Sequence, residues 1–291
     1  MLGEIRGEVR FKEPLSFHTS LRIGGPADIF IVPQDVEDIR HALMFADREQ
    51  LPVAVVGGGN SLLVRDRGVR GVVLKLEGCL GRAEFHGEEA LAGAGVSLSA
   101  LIREAAALNL GGIESLVGIP ATIGGALAMN AHTADGGIGD FVSAVYYLHP
   151  DGTLGEFKPS GAFGYRAFHL PPDAVLIGCR LQLQRRPLPE IQKDIRARLK
   201  QKKSTQPLAL ASAGFVWKNP AGDLASRLIE KAGLRGKRLN GAEISSKHTN
   251  FIVNRGGAGA ADILSLMELT RERVHGHFGI TLETEIRILG E

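Results

Sequence analysis

Glycine sets the first limits on this chain. Its 38 glycines are not spread evenly: they cluster at Gly57–Gly59, Gly111–Gly112, Gly124–Gly125, Gly136–Gly137 and Gly256–Gly257. No Gly-X-Y period runs through them, and the clusters sit between apolar segments rather than in low-complexity linkers. Such clusters give tight turns where backbone must approach something closely, and a bound cofactor is one such thing. With 291 residues the chain is long for a single core, so two or three domains are expected.

Composition removes several function classes. Hydrophobic residues at 44% and charged residues at 23% are ordinary for a soluble globular protein. The 34 basic and 32 acidic side chains leave a formal charge of +2, without the basic excess of a general nucleic-acid surface. A local basic pocket for a phosphorylated small molecule is still allowed. Residues 1–13 mix charges with apolar residues and lead into no apolar signal core. No run approaches the roughly 18 apolar residues of a membrane helix, so a cytoplasmic protein without membrane contact is expected. Cys79 and Cys179 lie far apart and outside any CxxC spacing, which favours two buried reduced thiols over a disulfide.

The patterning alternates between strand and helix. Asp35 can cap a helix with Val36, Ile39, Leu43 and Ala46 at helical spacing, followed by a buried strand over Val53–Val56. That reads as β-α-β over residues 29–56, ending at the first glycine cluster. Residues 69–94 are β-rich. Ser97 is placed to cap a second helix, with Gly111–Gly112 as its stop. Residues 141–184 read as strands, with Asp151-Gly152 a hairpin turn. Paired prolines at Pro187 and Pro189 mark the expected domain boundary, giving domains of residues 1–186 and 187–291. A helix with Ile191, Ile195 and Leu199 follows, then a helix near 223–232, a strand near 244–253 and a helix near 260–275. In the last strand Leu282, Thr284, Ile286 and Ile288 share one face, and Glu283, Glu285 and Arg287 the other.

Two loops carry candidate chemistry. Gly57-Gly58-Gly59-Asn60-Ser61 follows a buried strand and offers consecutive backbone N–H groups with two polar side chains, an arrangement suited to a diphosphate. Taken alone it serves equally as a strand-ending turn. It lacks the Gly-Lys-Ser/Thr of a Walker loop and the spacing of a Rossmann fingerprint. Gly118-Ile119-Pro120-Ala121-Thr122-Ile123-Gly124-Gly125-Ala126, leading to Met129-Asn130-Ala131, lets backbone lie flat against a planar ring, with Thr122 and Asn130 able to bond its edge. His275 and His277 have no neighbouring carboxylate pattern, so no metal site is expected.

Together with Thr19-Ser20-Leu21-Arg22-Ile23-Gly24-Gly25-Pro26-Ala27 these loops resemble the UDP-N-acetylenolpyruvoylglucosamine reductase (MurB) family. The likeness continues through Phe163-Gly164-Tyr165-Arg166, Gln206-Pro207, Ser212-Ala213-Gly214 and Lys218-Asn219-Pro220. It runs on through Ala232-Gly233-Leu234-Arg235-Gly236, His248-Thr249-Asn250-Phe251-Ile252-Val253-Asn254 and Leu282-Glu283-Thr284-Glu285-Ile286-Arg287. The resemblance implies an α+β fold, with a two-part PCMH-type FAD-binding domain followed by a smaller α+β substrate-binding domain. It implies FAD as cofactor, NADPH as co-substrate, and reduction of the enolpyruvyl ether of a UDP-sugar in peptidoglycan synthesis; a monomer is expected.

By the same resemblance Arg166 and Glu285 are catalytic. Gly57, Gly58, Gly59, Asn60, Ser61, Gly118, Ile119, Pro120, Thr122, Gly124, Gly125, Asn130 and Ala131 hold FAD, and Tyr165, Lys203, Lys218 and Asn219 hold substrate. Superfamily relatives that attach FAD covalently often carry His after the first glycines. Asn60 stands there, so noncovalent FAD is expected. The chain also departs from the family pattern. Phe215 takes the place of a serine or cysteine that supplies a proton, a role worth about a hundred- to ten-thousand-fold in rate. His18, Ala121, His132, Ala134 and Phe168 replace more usual residues. Phe215 leaves open a flavin oxidoreductase with another substrate, or a catalytically retired paralogue that binds flavin or UDP-sugar.

Overall fold

The computed structural model describes residues 2–159 and 161–291. With 30% helix and 29% strand it has the expected α+β character. The chain forms two compact units, each drawn from several stretches of sequence. The first comprises Met1–Phe11, Ile29–Gly58 and Arg70–Lys202; the second comprises Lys12–Asp28, Gly59–Val69 and Lys203–Glu291. No described helix is long and apolar enough to cross a membrane.

Two sheets build the first unit. One is four-stranded, in the order Glu8–Pro14, Pro26–Val32, Val69–Lys75, Val53–Val56, and its last two strands run parallel. Helix α1 (Val36–Arg48) buries Ile39, Ala42, Leu43 and Ala46, and Asp35 caps it through the N–H groups of Glu37 and Asp38, as its sequence predicts. Asp38 itself is fully buried. It accepts backbone N–H bonds from Arg6 (3.0 Å), Gly7 (2.8 Å) and Gln34 (2.8 Å). Burial pushes this carboxyl up, but the three bonds outweigh it and hold it below its ordinary value.

The second sheet is five-stranded, in the order Leu154–Phe157, Val142–Leu148, Val175–Gln182, Glu89–Gly93, Ala83–His86, and antiparallel throughout. Helices α2 (Leu98–Ala107) and α3 (Ile123–Ala128) belong to this layer, with Leu101, Ile102, Ala105, Ile123 and Leu127 in its core. Ser97 occupies the cap position of α2 without bonding the helix, and its hydroxyl meets Ser99 instead. The helix stops at Asn109 (φ 57°) before Gly111 is reached, because asparagine tolerates the left-handed region. Helix α4 (Leu188–Thr205) holds Pro189 in its first turn, where the missing N–H costs nothing.

The second unit has a four-stranded antiparallel sheet, in the order Ala211–Ser212, Ile252–Asn254, Ala242–Ile244, Arg238–Leu239. Helices α5 (Ala225–Lys231) and α6 (Ala260–Phe278) supply Leu228, Ile229, Ile263, Leu266 and Met267 to its core. The single strand expected near 244–253 is two strands joined by a turn. The buried Ser245 hydroxyl accepts N–H bonds from Lys247 (3.2 Å) and His248 (3.4 Å), which closes that turn. Arg287–Leu289 pairs in parallel with Leu62–Val64. Upstream the expected alternation holds: Leu282 and Ile286 are buried, Glu283 and Arg287 exposed. Both cysteines are buried and unpaired, and burial raises their thiols to about 11 at Cys79 and about 12 at Cys179.

Candidate active site

The two glycine loops meet. Gly57 lies so close to the Thr122 hydroxyl that a Cβ on it would overlap that oxygen. Thr122 is buried and caps α3 by accepting the Gly125 N–H at 3.2 Å. The second loop is laid along the sheet by Leu98 N–H to the Ala121 carbonyl (2.9 Å), Ile123 N–H to Val96 (2.8 Å) and Gly124 N–H to Ala94 (2.8 Å). A Cβ on Gly124 would stand 3.0 Å from that of Ala94, so this approach needs glycine. Ile119 and Pro120 face outward or are half-buried, and Ala131 is buried, its N–H on the Ala126 carbonyl at 2.7 Å.

Carbonyls of the first loop are tied into the protein. The Lys75 ammonium, itself buried, donates to the Gly57 carbonyl at 2.6 Å and pairs with Glu77 at 2.8 Å. Gly59 (φ 65°) accepts the Ser20 N–H at 3.0 Å, and the Ser61 carbonyl accepts the Arg287 N–H at 3.0 Å. Among the described residues none accepts an N–H from Gly57, Gly58, Gly59, Asn60 or Ser61. Carbonyls turned inward and N–H groups left over are what an anion-binding nest requires. The residues present therefore fit a diphosphate-bearing flavin.

Arg166 stands on a tight hairpin. Phe163 pairs with Phe168 and Gly164 with Ala167, leaving Tyr165 and Arg166 as the two turn residues. Arg166 has φ 54°, a left-handed conformation that costs a non-glycine residue about 1 kcal/mol or more. Phe163 and Phe168 stack at 4.3 Å. Asn130 pins the same turn: its amide donates to the Gly164 carbonyl at 2.8 Å, while its oxygen accepts the Gly139 N–H at 3.1 Å. Tyr165 is half-exposed at 49%, with His132 edge-on to it at 6.0 Å.

Lys202 is the residue that sequence reasoning passed over for its neighbour. A Cβ on Gly118 (φ 74°) would lie 3.0 Å from Lys202 Cδ and 3.2 Å from Leu199 Cδ2, so this part of α4 covers the second glycine loop. Burial, then the charges of Arg198 and Arg166, draw the Lys202 amine down to about 8. Lys203, one residue on, is exposed, and its carbonyl accepts from the Lys247 ammonium at 2.6 Å. The available signal was helical: Arg198 and Lys202 are four apart and share a face.

In the second unit Glu285 is positioned by backbone pairing. Its N–H donates to the Val216 carbonyl at 2.7 Å, the Lys218 N–H donates to Glu283 at 2.9 Å, and Trp217 bridges Thr284. On the other side of this segment the buried Asn250 clasps Trp217, accepting its N–H and donating to its carbonyl, both at 2.9 Å. Glu285 is half-buried. The Lys218 ammonium lies 3.2 Å from Glu283, and the Asn219 side chain accepts the Ala225 N–H at 3.0 Å. Phe215 does not stand alone: its ring stacks on His248 at 5.0 Å and meets Phe251 edge-on at 5.2 Å.

Comparison with known proteins agrees with this geometry. Residues 27–158 match the FAD binding domain family, and residues 206–289 match the C-terminal domain of UDP-N-acetylenolpyruvoylglucosamine reductase. The UDP-N-acetylenolpyruvoylglucosamine reductase of Geobacter metallireducens is 41% identical over 99% of this chain and 96% of its own length. That of Anaeromyxobacter is 44% identical over 99% and 90%. The crystal structure of the Thermus caldophilus enzyme superposes with a TM-score of 0.84 at 36% identity, covering 98% of this chain and all of the other. Matched in sequence and fold along nearly its whole length, the chain belongs to the UDP-N-acetylenolpyruvoylglucosamine reductase family.

Proposed function

We propose that this protein reduces the enolpyruvyl ether of UDP-N-acetylglucosamine enolpyruvate to UDP-N-acetylmuramate, with NADPH as co-substrate and noncovalent FAD, as a step of peptidoglycan synthesis. The observation that carries this reading is the junction of the two glycine loops at Gly57 and Thr122, with unused N–H groups at the first loop and a cationic helix face over the second. FAD, when bound, supplies hydride transfer from NADPH to the substrate's methylene carbon. Gly57, Gly58, Gly59, Asn60 and Ser61 hold its diphosphate. Gly118, Ile119, Pro120, Thr122, Gly124, Gly125, Asn130 and Ala131 line its ring, with Asn130 also fixing the hairpin that carries Arg166.

The chain's own groups then manage charge and protons. Arg166 binds the substrate carboxylate and stabilises the negative charge that grows on the enolate, for which a permanently charged fork is suited. Glu285 is the second catalytic group of this reading. Tyr165, Lys203, Lys218 and Asn219 are its substrate-binding residues, and Lys202, whose amine feels the charge of Arg166, adds a further cation beside it. We assign residues 1–186, with the hairpin of Tyr165 and Arg166 included, to the flavin-binding domain and residues 187–291 to the substrate-binding domain, in a cytoplasmic monomer without nucleic-acid partners.

The test is anaerobic. Reduction of the flavin by NADPH followed by rapid reoxidation on adding UDP-N-acetylglucosamine enolpyruvate supports the reading; no reoxidation refutes it. Phe215 favours a second reading, a paralogue that binds the UDP-sugar without turnover. That paralogue would bind the substrate and leave the reduced flavin untouched.

A further inference from the structure

The loop Gly57-Gly58-Gly59-Asn60-Ser61 carries no charged side chain, yet the diphosphate assigned to it is an anion. A cation does reach its backbone, from the neighbouring strand. Lys75 ends the strand Val69–Lys75 and lies opposite Val56, the last residue before the loop. Val72 and Leu74 enter the core that holds Ile39, Ala42 and Leu43 of α1, so strand alternation turns Lys75 to the other face. There its side chain is 10% exposed, and its ammonium donates to the Gly57 carbonyl at 2.6 Å. A plain ion pair does not explain this placement. Glu77, the carboxylate partner at 2.8 Å, is 53% exposed, and a lysine meeting it from solvent would avoid the cost of burying a charge.

We propose that Lys75 is a positioning residue of the flavin site: its ammonium sets the Gly57–Gly58 peptide so that the Gly58 N–H is aimed at the FAD diphosphate, and it places a positive charge behind that donor. The proposal rests on the assignment of Gly57–Ser61 to the diphosphate. In a planar trans peptide the C=O and N–H point in opposite directions. A Gly57 carbonyl held by Lys75 therefore sends the Gly58 N–H away from Lys75, and that N–H has no acceptor among the described residues. The Thr122 hydroxyl closes another side of Gly57, since a Cβ there would come within 2.4 Å of it.

The charge matters as well as the bond. A cation on the carbonyl polarises the whole peptide and makes its N–H a stronger donor. The other bonded carbonyls of the loop have neutral donors: Gly59 accepts from the N–H and hydroxyl of Ser20, and Ser61 from the backbone N–H of Arg287. Glycine is free to turn where nothing holds it. Without Lys75 the first peptide of the loop would have to be ordered at the moment of binding, which lowers affinity.

The test is a titration of FAD into the flavin-free full chain, followed by fluorescence quenching. Lys75→Met keeps most of the stem and removes the charge. Its Kd for FAD should rise about 10- to 100-fold, the weight of one charge-assisted hydrogen bond. At saturating FAD, phosphorus NMR should show the resonances of the bound diphosphate displaced in the variant, while the visible absorption band of the flavin ring stays as in wild type. A merely structural role would disturb ring and diphosphate together, and that result overturns the proposal; so does an unchanged Kd. Wild type supplies a measurement that needs no variant to fold: the Lys75 ammonium resonance in nitrogen NMR should move when FAD is added, and a resonance that ignores FAD refutes the assignment. Wild type that takes up no FAD would remove the flavin reading and this proposal with it, whereas failure to reduce the enolpyruvyl substrate would remove only the reductase reading.

Discussion

Lys202→Met separates stability from ligand affinity at one residue. A drop of the Lys202 amine from 10.5 to about 8 corresponds to about 3 kcal/mol against its charged form, at roughly 1.4 kcal/mol per pH unit. Partial exposure of the side chain screens some of this, so about 1–3 kcal/mol is expected. The sign follows from linkage. Between pH 8 and 10.5 the unfolded chain holds the proton that the folded chain has released, so stability rises with pH across that window. Below it the penalty is present in full. Methionine keeps the length of the stem against Leu199 and Gly118 and removes the charge. The variant should therefore be more stable than wild type at pH 7 by about 1–3 kcal/mol, and the gain should shrink towards pH 10. Urea unfolding at pH 7 and 9.5, at equal flavin saturation, measures it. The same variant should bind UDP-N-acetylglucosamine enolpyruvate at least about tenfold more weakly at pH 7, the loss of a charge-assisted contact. A less stable Lys202→Met, or a stability difference flat with pH, would refute the reasoning.

Other substitutions test the remaining parts of the site. Gly57→Ala drives a methyl into the Thr122 hydroxyl and should part the two glycine loops. Flavin should be lost on gel filtration while the far-ultraviolet circular dichroism is retained. Arg166→Lys and Glu285→Gln should each slow flavin reoxidation by substrate by about 10²-fold or more and change reduction by NADPH much less, as stopped-flow absorbance would show. Asn250→Ala leaves the buried N–H and carbonyl of Trp217 unpartnered and should cost about 2–4 kcal/mol in urea unfolding. Acid precipitation should release the flavin into the supernatant, because Asn60 offers no covalent link.

Parts of the site were legible in the sequence where a residue acts by what it lacks. Gly57, Gly59 and Gly124 are needed because no side chain fits beside Thr122, His18 and Ala94, and a glycine cluster announces that need directly. The turn of Arg166 was not legible in the same way. Its left-handed backbone is one that sequence rules reserve for glycine or asparagine. It holds here because Asn130, remote in sequence, anchors the preceding carbonyl. The end of α2 went the other way: paired glycines drew attention to residues 111–112, while Asn109 had already turned the chain.

Lys202 and Lys203 show why the last step, from helix to site, cannot be taken from composition. Adjacent helical residues point about 100° apart, so a lysine cluster at a helix end does not say which amine is turned inward. Only the placement of Gly118 against α4 decides it, because a residue without a Cβ leaves room for the Lys202 stem to pass. The site thus reuses one glycine twice, first for the turn that its positive φ allows and then as the floor beneath a cation. Position 215 shows the same limit: a phenylalanine there reads from sequence as a lost function, whereas the fold gives its ring a packing role, stacked on His248 and edge-on to Phe251.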